Sequence, residues 1–387
     1  MKLNYKQLGT YIEQYDIRAK EGDYTLEDIR GISSITKEFN KTKANLVDVT
    51  VDKYKIVPPN YFAYNPNTAR MGDKIPIALN KSDCDVLVSS IYPVFKIDET
   101  QLLAEYALLW FKRPEFDRYA RYKSHGSARE IFDWSEMCKV ELPVPSCEEQ
   151  KRIVESYKKI TERIALKKQI NDNLVESLSA VYKELFSDVE TQYPKVPLQK
   201  ICSKIGSGAT PKGGKTAYID KGISLIRSTN VFDFRFEYSD LAHINQNQAD
   251  ALANVTVEPN DVLFNITGVS VARCCMVPDD VLPARVNQHV MIVRPIKGEN
   301  MSYYIMFTLC STDNKAKLLG IGQSGSTREA INKQELESFE IPLPDDNAIN
   351  KFGEAAKRVY EYIRCNIKEI LALEEMKTVL LAQLSSR

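Results

Sequence analysis

The stretch GSAREIFDWSEMCKVELPVPSCEEQKRI at residues 126–153 is matched by GSTREAINKQELESFEIPLPDDNAINKF at residues 325–352. Both begin with Gly-Ser-x-Arg-Glu, and both carry a glutamate and two prolines at the same offset of 199 residues. Upstream, VPPNYFAYN at 57–65 matches VEPNDVLFN at 257–265, at an offset of 200. Because self-similarity at a fixed period marks repeated structural units, the sequence predicts a tandem duplication of roughly 195 residues.

Each copy ends in a segment with the hydrophobic spacing of a long helix. The prolines of LPVP and IPLP end the preceding element, and acidic residues follow at the start of the helix. Apolar residues then alternate at spacings of four and three, as in a coiled coil. The first seam is Ile153, Tyr157, Ile160, Ile164, Leu174, Leu178, Val181 and Leu185, with polar Lys167 and Asn171 in the middle. The second seam includes Phe352, Val359, Ile363 and Ile370, with polar Asn366 between.

Helices of this length need a long partner to bury their apolar stripe. At 1.5 Å per residue, such helices would be roughly 50–60 Å long. We expect the two copies to pair with each other in antiparallel orientation, while pairing between two chains remains the alternative. Short β-rich runs such as VEPNDVLFNITG and the helical run ETQLLAEYALLWFKRPEF indicate mixed α and β structure before each long helix.

The predicted fold class is α+β, with two tandem mixed α/β domains separated by two long helices that form an antiparallel coiled coil. The internal duplication is expected to give pseudo-twofold symmetry. The predicted boundaries are 1–146 for the first domain, 147–190 for the first helix, 191–345 for the second domain and 346–387 for the second helix.

Composition excludes several classes of protein. The net charge is zero, with 52 basic and 52 acidic residues, and no run of eighteen apolar residues could span a membrane. The eight cysteines never fall in a CxxC spacing, and the three histidines are scattered, so a zinc site is not expected. Free thiols and a polar N-terminus without a secretory signal favour a cytoplasmic location and no membrane contact.

The stretch GSGATPKGGKTAYIDKG at residues 206–222 contains a relaxed phosphate-loop pattern. A phosphate loop needs a buried apolar strand before it and a long helix after it. Lysines interrupt the preceding segment, and another glycine follows within seven residues of Lys215. We therefore interpret the pattern as a coincidence in a Gly/Lys-rich loop, and no other catalytic motif is present.

Two local clusters are basic although the chain as a whole is neutral. Between Lys200 and Arg235 there are seven basic residues against two acidic ones, and between Lys112 and Arg129 there are six against two. Solvated surface charge is the simpler explanation of one such cluster. Two clusters in related places need a further explanation, because local clusters can carry an electrostatic field even when the net charge is zero.

The order of these features resembles the specificity subunit of a type I restriction-modification system. The resemblance rests on the Gly/Thr-Pro loop running into ISLIRSTNV, on PNDVLFNITG, on ARVNQHVMIVRP and on SGSTREAINKQELESFEIPLP. In the first half it rests on LPVPSCEEQKRIVESYKKI, a specific motif of the family. The chain departs from the family where the first half lacks the Gly-Thr-Pro loop and where DDNAINKF lacks the Glu-Gln pair.

The resemblance implies two target-recognition domains, each reading half of a bipartite site in double-stranded DNA, with the helices as a spacer. Two methylation subunits with S-adenosylmethionine, and restriction subunits with ATP and Mg, would supply the catalysis. The chain itself would hold no cofactor or metal and would not be an enzyme. A non-DNA-binding coiled-coil adaptor is the alternative from a different class, and an inactive or shuffled cassette is the alternative within the family.

The resemblance also suggests which residues contact DNA. Lys212 and Lys215 would neutralise phosphates, while Arg227, Ser228, Thr229 and Asn230 could reach base edges. Lys123 and His125 lie in the basic cluster of the first half, where a phosphate or base contact is expected. The repeated pairs could bind phosphate or hold the following helix start, and both roles stay open: Ser127 with Arg129, and Ser326 with Arg328.

Overall fold

The computed structural model describes residues 5–42, 45–46, 49–67, 74–124, 130–186, 192–211, 213–323 and 330–384, except for the side chain of Lys215. The chain forms two compact units. Unit 1 consists of Met1–Lys167 with Lys368–Arg387, and unit 2 consists of Lys168–Ile367.

Unit 1 contains ten described strands, all of them short. They are β1 (Tyr5–Gln7), β2 (Ile12–Tyr15), β3 (Arg30–Ile32), β4 (Phe39–Lys41), β5 (Tyr54–Val57), β6 (Phe62–Tyr64), β7 (Ile77–Leu79), β8 (Val86–Ser89), β9 (Val94–Ile97) and β10 (Glu141–Pro143). A four-stranded antiparallel sheet has the order β2-β9-β6-β7. Three further antiparallel pairs, β3 with β4, β5 with β8 and β1 with β10, complete the strand pairing.

The core of unit 1 lies between its four-stranded sheet and its helices. The helices are α1 (Ala104–Phe111), α2 (Pro114–Lys123), α3 (Trp134–Cys138) and the first part of α4 (Cys147–Leu185). Phe62 and Phe95 of the sheet stack with ring centroids 5.1 Å apart, and Phe111 of α1 meets Phe62 edge-on. Because both faces of α1 are covered, its sequence is apolar almost throughout.

Unit 2 contains twelve strands in its described part. They are β11 (Lys195–Pro197), β12 (Cys202–Ser207), β13 (Ile223–Ile226), β14 (Val231–Phe232), β15 (Arg235–Phe236), β16 (Ala242–Ile244), β17 (Thr256–Val257), β18 (Val262–Asn265), β19 (Cys274–Met276), β20 (Ala284–Val286), β21 (Val290–Pro295) and β22 (Glu340–Pro342). One four-stranded sheet has the order β12-β21-β18-β19 and is antiparallel throughout. A second has the order β16-β13-β20-β17, in which β13 and β20 are parallel.

The helices of unit 2 are α5 (Leu198–Ile201), α6 (Gln246–Ala251), α7 (Gly298–Cys310), α8 (Thr312–Gln323), α9 (Lys333–Ser338) and the first part of α10 (Asp346–Gln383). The last part of α4 also lies in this unit. Helix α7 is buried along nearly its whole length against the first sheet. A separate core fills the space between the two sheets.

The duplication read from the sequence is present in the structure. The order β2-β9-β6-β7 of unit 1 recurs in unit 2 as β12-β21-β18-β19. In each unit a buried tyrosine donates its hydroxyl proton to the carbonyl oxygen of a proline in the last strand. The two bonds are Tyr106 to Pro143 at 3.1 Å and Tyr304 to Pro342 at 2.7 Å. The predicted α+β fold class is confirmed.

The long helices pair in antiparallel orientation within each unit. In unit 1, Ile153 of α4 and Leu384 of α10 share one core, and Arg163 and Lys167 both contact the Glu369 carboxylate. These two cations lower the pKa of Glu369, with the bond from Lys167 as the largest cause. The polar residues predicted in the first seam therefore have partners on the facing helix.

In unit 2 the polar seam positions form a direct contact. The Asn366 amide donates to Oδ1 of Asn171 at 2.7 Å, and Asn366 is buried. Among the other predicted seam residues up to Leu178 in α4 and in α10, counted over both units, six are buried and four are partly buried. The buried ones are Ile153, Ile164, Leu178, Phe352, Ile363 and Ile370, and the partly buried ones are Tyr157, Ile160, Leu174 and Val359.

The predicted seam of α4 is wrong beyond Leu178. Val181 and Leu185 are 39% and 37% exposed, whereas Tyr182 and Phe186 are buried. The buried stripe moves by one residue because the end of α4 packs against the aromatic core of unit 2, and no longer only against another helix.

Candidate nucleic-acid interface

The Gly-Lys-Thr segment of unit 2 forms a surface turn. Residues Gly214–Ala217 make a single 3₁₀ turn, and the Thr216 hydroxyl donates to the carbonyl oxygen of Gly213 at 2.8 Å. Gly213 and Gly214 have φ angles of 97° and 57°, in the left-handed region that favours glycine. Phosphate loops require the N-terminus of a long helix at this point. The short turn agrees with the interpretation of this pattern as a coincidence.

Gly208 fixes the base of this loop against the second sheet. Its N–H donates to the carbonyl oxygen of Asn287 at 3.1 Å. A Cβ atom at Gly208 would lie 1.7 Å from the carbonyl oxygen of Val286. The backbone can approach β20 this closely only because residue 208 has no side chain.

A chain of polar side chains ties the same loop to the sheet. The Thr210 hydroxyl contacts the side-chain amide of Gln288, whose Nε2 lies 2.9 Å from Nε2 of His289. The other ring nitrogen of His289 lies 2.7 Å from the Thr267 hydroxyl. His289 therefore has partners on both ring nitrogens, as expected for a structural histidine. Through these contacts the loop at Thr210 is connected to the segment before β21 and to Thr267 after β18.

Asn230 has a structural role in the turn after β13. Its side chain is fully buried, and Oδ1 accepts a hydrogen bond from the backbone N–H of Arg227 at 3.0 Å. Its amide nitrogen donates to the carbonyl oxygens of Glu237 at 2.9 Å and Ser239 at 3.3 Å. All of its polar atoms are used inside the domain, so the prediction that Asn230 reaches a base edge does not fit its position.

Its neighbours in the predicted base-reading group are more accessible. Thr229 is exposed, and Arg227 and Ser228 are partly buried. The Arg227 guanidinium lies 5.6 Å from the ring centroid of Tyr218 and donates to the carbonyl oxygen of Asp240. This arginine is anchored from two sides, whereas the Thr229 side chain is open to a ligand.

In unit 1 the described member of the predicted group is Lys123. Its ammonium lies 5.6 Å from the ring centroid of Tyr122, and it lines a groove of about 500 Å³. Aromatic and charged side chains surround this groove, among them Tyr5, Trp110, Tyr119 and Lys139. Lys112, from the same basic segment, is largely buried, and burial lowers its pKa.

The remaining predicted contacts lie outside the described residues. They are Lys212, His125, Ser127, Arg129, Ser326, Arg328 and the side chain of Lys215.

One cluster that the sequence did not single out lies in unit 2. The guanidiniums of Arg235 and Arg273 lie over the ring of Phe232, with the Cζ atoms 5.1 Å and 4.8 Å from the ring centroid. Arg235 was part of the basic segment ending at that residue, but Arg273 is far away in the sequence. Only the pairing of β14 with β15 and the position of β19 bring the three together.

No group of three or more His, Cys, Asp or Glu side chains in the described ranges could hold a metal ion. None of the helices in the described part of the chain is long and apolar enough to cross a membrane.

The described part of the chain contains a duplicated mixed α/β domain, with an antiparallel pair of long helices in each unit, which is the architecture that the sequence predicts. Residues 27–176 match the family model described as Type I restriction modification DNA specificity domain. The match lies in the half that departs most from the family in its loops.

Two known proteins show the same relationship. The chain is 23% identical over 308 residues to the Type I restriction enzyme MjaIX specificity subunit of Methanocaldococcus jannaschii, covering 74% of this chain and 69% of the relative. The crystal structure of the Type-I restriction-modification system S subunit from M. genitalium matches with a TM-score of 0.55 at 14% identity, covering 99% of this chain and 96% of that one. Residues 27–176 thus match the DNA specificity domain of type I restriction-modification systems, and the chain is similar over most of its length to type I specificity subunits, which confirms the resemblance noted from the sequence.

Proposed function

We propose that this chain is the DNA-recognition subunit of a type I restriction-modification complex, in which each domain binds one half of a bipartite site. The observation that carries the proposal is the structural duplication within a chain whose residues 27–176 match a DNA specificity domain. Both units have the same sheet order and the same Tyr-to-Pro hydrogen bond. Two copies of one framework suit a ligand that presents two related binding segments.

The two copies differ in their loops, which supports recognition of two different half-sites. Unit 2 has the Gly-rich loop that Gly208 holds against β20, while the first half lacks the Gly-Thr-Pro sequence. A common scaffold positions the domain on the duplex, and variable loops select the bases. The bipartite site is therefore expected to be asymmetric.

The partners follow from the same proposal. Two methylation subunits would dock on equivalent surfaces of the two copies and would carry S-adenosylmethionine. Restriction subunits would bring ATP and Mg²⁺ chemistry, so this chain would be non-catalytic and would bind no cofactor. Its place of action would be the cytoplasm.

The test is single-molecule methylome sequencing of a clean host that expresses this chain with its neighbouring methylation subunit. We expect a new bipartite methylated motif that disappears when this chain is deleted. No methylation, despite a soluble complex with an intact methylation subunit, would favour the coiled-coil adaptor or an inactive cassette.

A domain exchange sharpens this test. Replacing residues 194–345 with the corresponding segment of another specificity subunit should change one half of the motif and leave the other half unaltered. The reciprocal replacement of residues 1–146 is the matched control and should change only the other half. A change in both halves after either exchange would contradict recognition by two independent domains.

A further inference from the structure

We propose that Arg235 and Arg273, held over the ring of Phe232, form a phosphate clamp in unit 2 that binds the backbone of double-stranded DNA. The inference rests on the proposed function for the nature of its ligand. It adds a defined binding site to that function, at residues that the sequence motifs do not mark.

The geometry of the clamp is set by a hairpin and an adjacent strand. Phe232 and Arg235 are directly opposite each other in the pairing of β14 with β15. Arg273 immediately precedes β19, and its guanidinium lies 4.8 Å from the Phe232 ring centroid. The guanidinium of Arg235 lies 5.1 Å from the same centroid. Stacking on an aromatic ring orients a guanidinium while leaving its N–H groups free to bind.

The positive charge of this pair is not neutralised within the described part of the chain. Neither arginine side chain forms an ion pair or hydrogen bond with another described residue. The carboxylate nearest in the hairpin, Asp233, already accepts from Lys315 at 2.6 Å and from the backbone N–H of Cys274 at 3.2 Å.

Two unpaired guanidiniums over one ring repel each other unless an anion lies near both. From their distances to the shared ring centroid, the two Cζ atoms cannot be more than about 10 Å apart, which is about one Debye length at 0.1 M salt. A duplex presents phosphates every ~3.4 Å of its axis along each strand. Within this upper limit, one strand can present a phosphate to each arginine, and each arginine can bind a phosphate in bidentate fashion.

The clamp lies beside the turn that was predicted to reach base edges. The side-chain amide of Asn265 donates to the carbonyl oxygens of Ser228 at 3.0 Å and Val231 at 3.2 Å. The buried Asn265 thus joins the start of the clamp hairpin to the turn that carries exposed Thr229. Phosphate contacts from the hairpin would position the duplex so that this turn faces its bases.

Within the described residues of unit 1, the clamp has no counterpart at the equivalent position of the sheet. Strand β7 of unit 1 occupies the sheet position of β19, and the residue that precedes it is Pro76. Proline cannot bind phosphate through its side chain. The clamp is therefore expected to strengthen binding to one half-site and not to the other.

The experiment uses the full chain and a fluorescein-labelled 30-base-pair duplex of mixed sequence, with anisotropy measured over a series of KCl concentrations. The test variant is R235Q/R273Q, and the matched control K351Q/R358Q removes two exposed positive charges from α10 in the same unit. We expect the test variant to bind about tenfold more weakly or worse, with a salt slope smaller by about two, because each phosphate contact contributes about 0.9 to that slope. The control should change neither quantity to this extent.

A second variant, R235K/R273K, keeps both charges but loses the stacked, bidentate geometry. It should bind with intermediate affinity and keep most of the salt slope, and its fold provides a check on the glutamine variant. Equal losses in R235Q/R273Q and K351Q/R358Q would overturn the clamp and leave the proposed function intact. Unchanged duplex affinity, with binding of the methylation subunit lost instead, would overturn it by assigning the cluster to a protein surface. No salt-dependent binding by the unmodified chain would overturn both proposals.

Discussion

At the scale of single residues, Gly208 shows how the absence of a side chain lets a surface loop lie directly against a strand. Adding one methyl group there would place a carbon 1.7 Å from the carbonyl oxygen of Val286. We predict that Gly208→Ala destabilises unit 2 by about 1–3 kcal/mol, the usual cost of overpacking. Gly206→Ala is the matched control, because a Cβ atom there meets nothing within 4 Å.

The measurement must report on unit 2 alone. Both tryptophans, Trp110 and Trp134, lie in unit 1, so their fluorescence does not follow this change. Hydrogen exchange of β12 and β20 should quicken in Gly208→Ala and stay as in the parent in Gly206→Ala. Equal exchange in the two variants would show that the loop can move away from β20 at little cost.

A buried ion pair in unit 1 gives a second prediction at this scale. Lys37 lies 2.5 Å from Asp117, both are almost fully buried, and burial lowers the pKa of Lys37 even though Asp117 opposes that shift. Removing one partner leaves the other charge buried without a counter-charge, so Lys37→Met should lower the free energy of unfolding by about 3–5 kcal/mol. The double variant K37M/D117N should recover most of this loss, because Asn can still accept from the Ile75 N–H that now donates to Asp117.

Tryptophan fluorescence during urea unfolding reports this change directly, since both tryptophans lie in unit 1. Unit 2 offers the matched control. There Lys315 of α8 pairs with Asp233 of the β14–β15 hairpin. In unit 1 the helix carries the acidic partner, Asp117, whereas in unit 2 the helix carries the basic one. The pair in unit 2 is partly exposed, and Lys315→Met should leave the unit 1 transition unchanged. If the double variant is as unstable as Lys37→Met, the buried charge of Asp117 is not the cause of the loss.

Residue-scale features were the hardest to predict from the sequence. The sequence predicts that the three side chains of STN at 228–230 reach base edges, yet Asn230 is buried because its amide donates to the carbonyl oxygens of Glu237 and Ser239 and closes the turn. Short polar side chains can hydrogen-bond the backbone of a turn or the edge of a base, so the residue type alone does not show which contact is made. The clamp was missed for a different reason, since Arg273 meets Phe232 only through tertiary structure.

At the scale of elements, the end of α4 is the place where the observed packing differs from the predicted heptad pattern. Phe186 contacts the rings of Tyr182, Tyr304 and Phe352, whereas adjacent Leu185 is 37% exposed. We predict that Phe186→Ala costs about 3–5 kcal/mol. Leu185→Ala, a truncation one residue away, should cost about 0.5 kcal/mol or less.

Hydrogen exchange along α7 distinguishes the two variants, because Tyr304 lies in that helix. Exchange there should rise strongly in Phe186→Ala only. A larger effect of Leu185→Ala would restore the original heptad seam and contradict the packing described above.

The elements themselves were largely predictable, and the exceptions have physical causes. The long helices carried a periodic apolar signal, proline stops and acidic starts, which are all local. A straight α-helix drifts by ~20° per heptad relative to a strict seven-residue repeat. The sequence therefore could not predict which residues are buried beyond Leu178, because there α4 packs against the core of unit 2. Hairpin β14–β15 has only two residues in each strand, too short for an alternation pattern.

At the scale of the whole molecule, α4 and α10 are the elements that each contribute to both units. If the helices act as the spacer between half-sites, helix length sets the number of unread base pairs. We predict that inserting one heptad after Lys167 and one after Ile367 lengthens the unread gap by about three base pairs. The added rise is about 10 Å at 1.5 Å per residue, and each base pair occupies ~3.4 Å. The same methylome sequencing that defines the motif measures the gap.

The insertion sites follow from the pairing within each unit. A whole heptad in both helices keeps Lys167 facing Glu369 in unit 1 and Asn171 facing Asn366 in unit 2. A heptad in only one helix leaves its new turns without a partner, so this control should abolish methylation or yield no stable chain. If the doubly inserted chain methylates its original motif with the original gap, helix length does not set the spacing. The half-sites themselves should keep their sequences in either case, because the insertions leave the loops of both domains untouched.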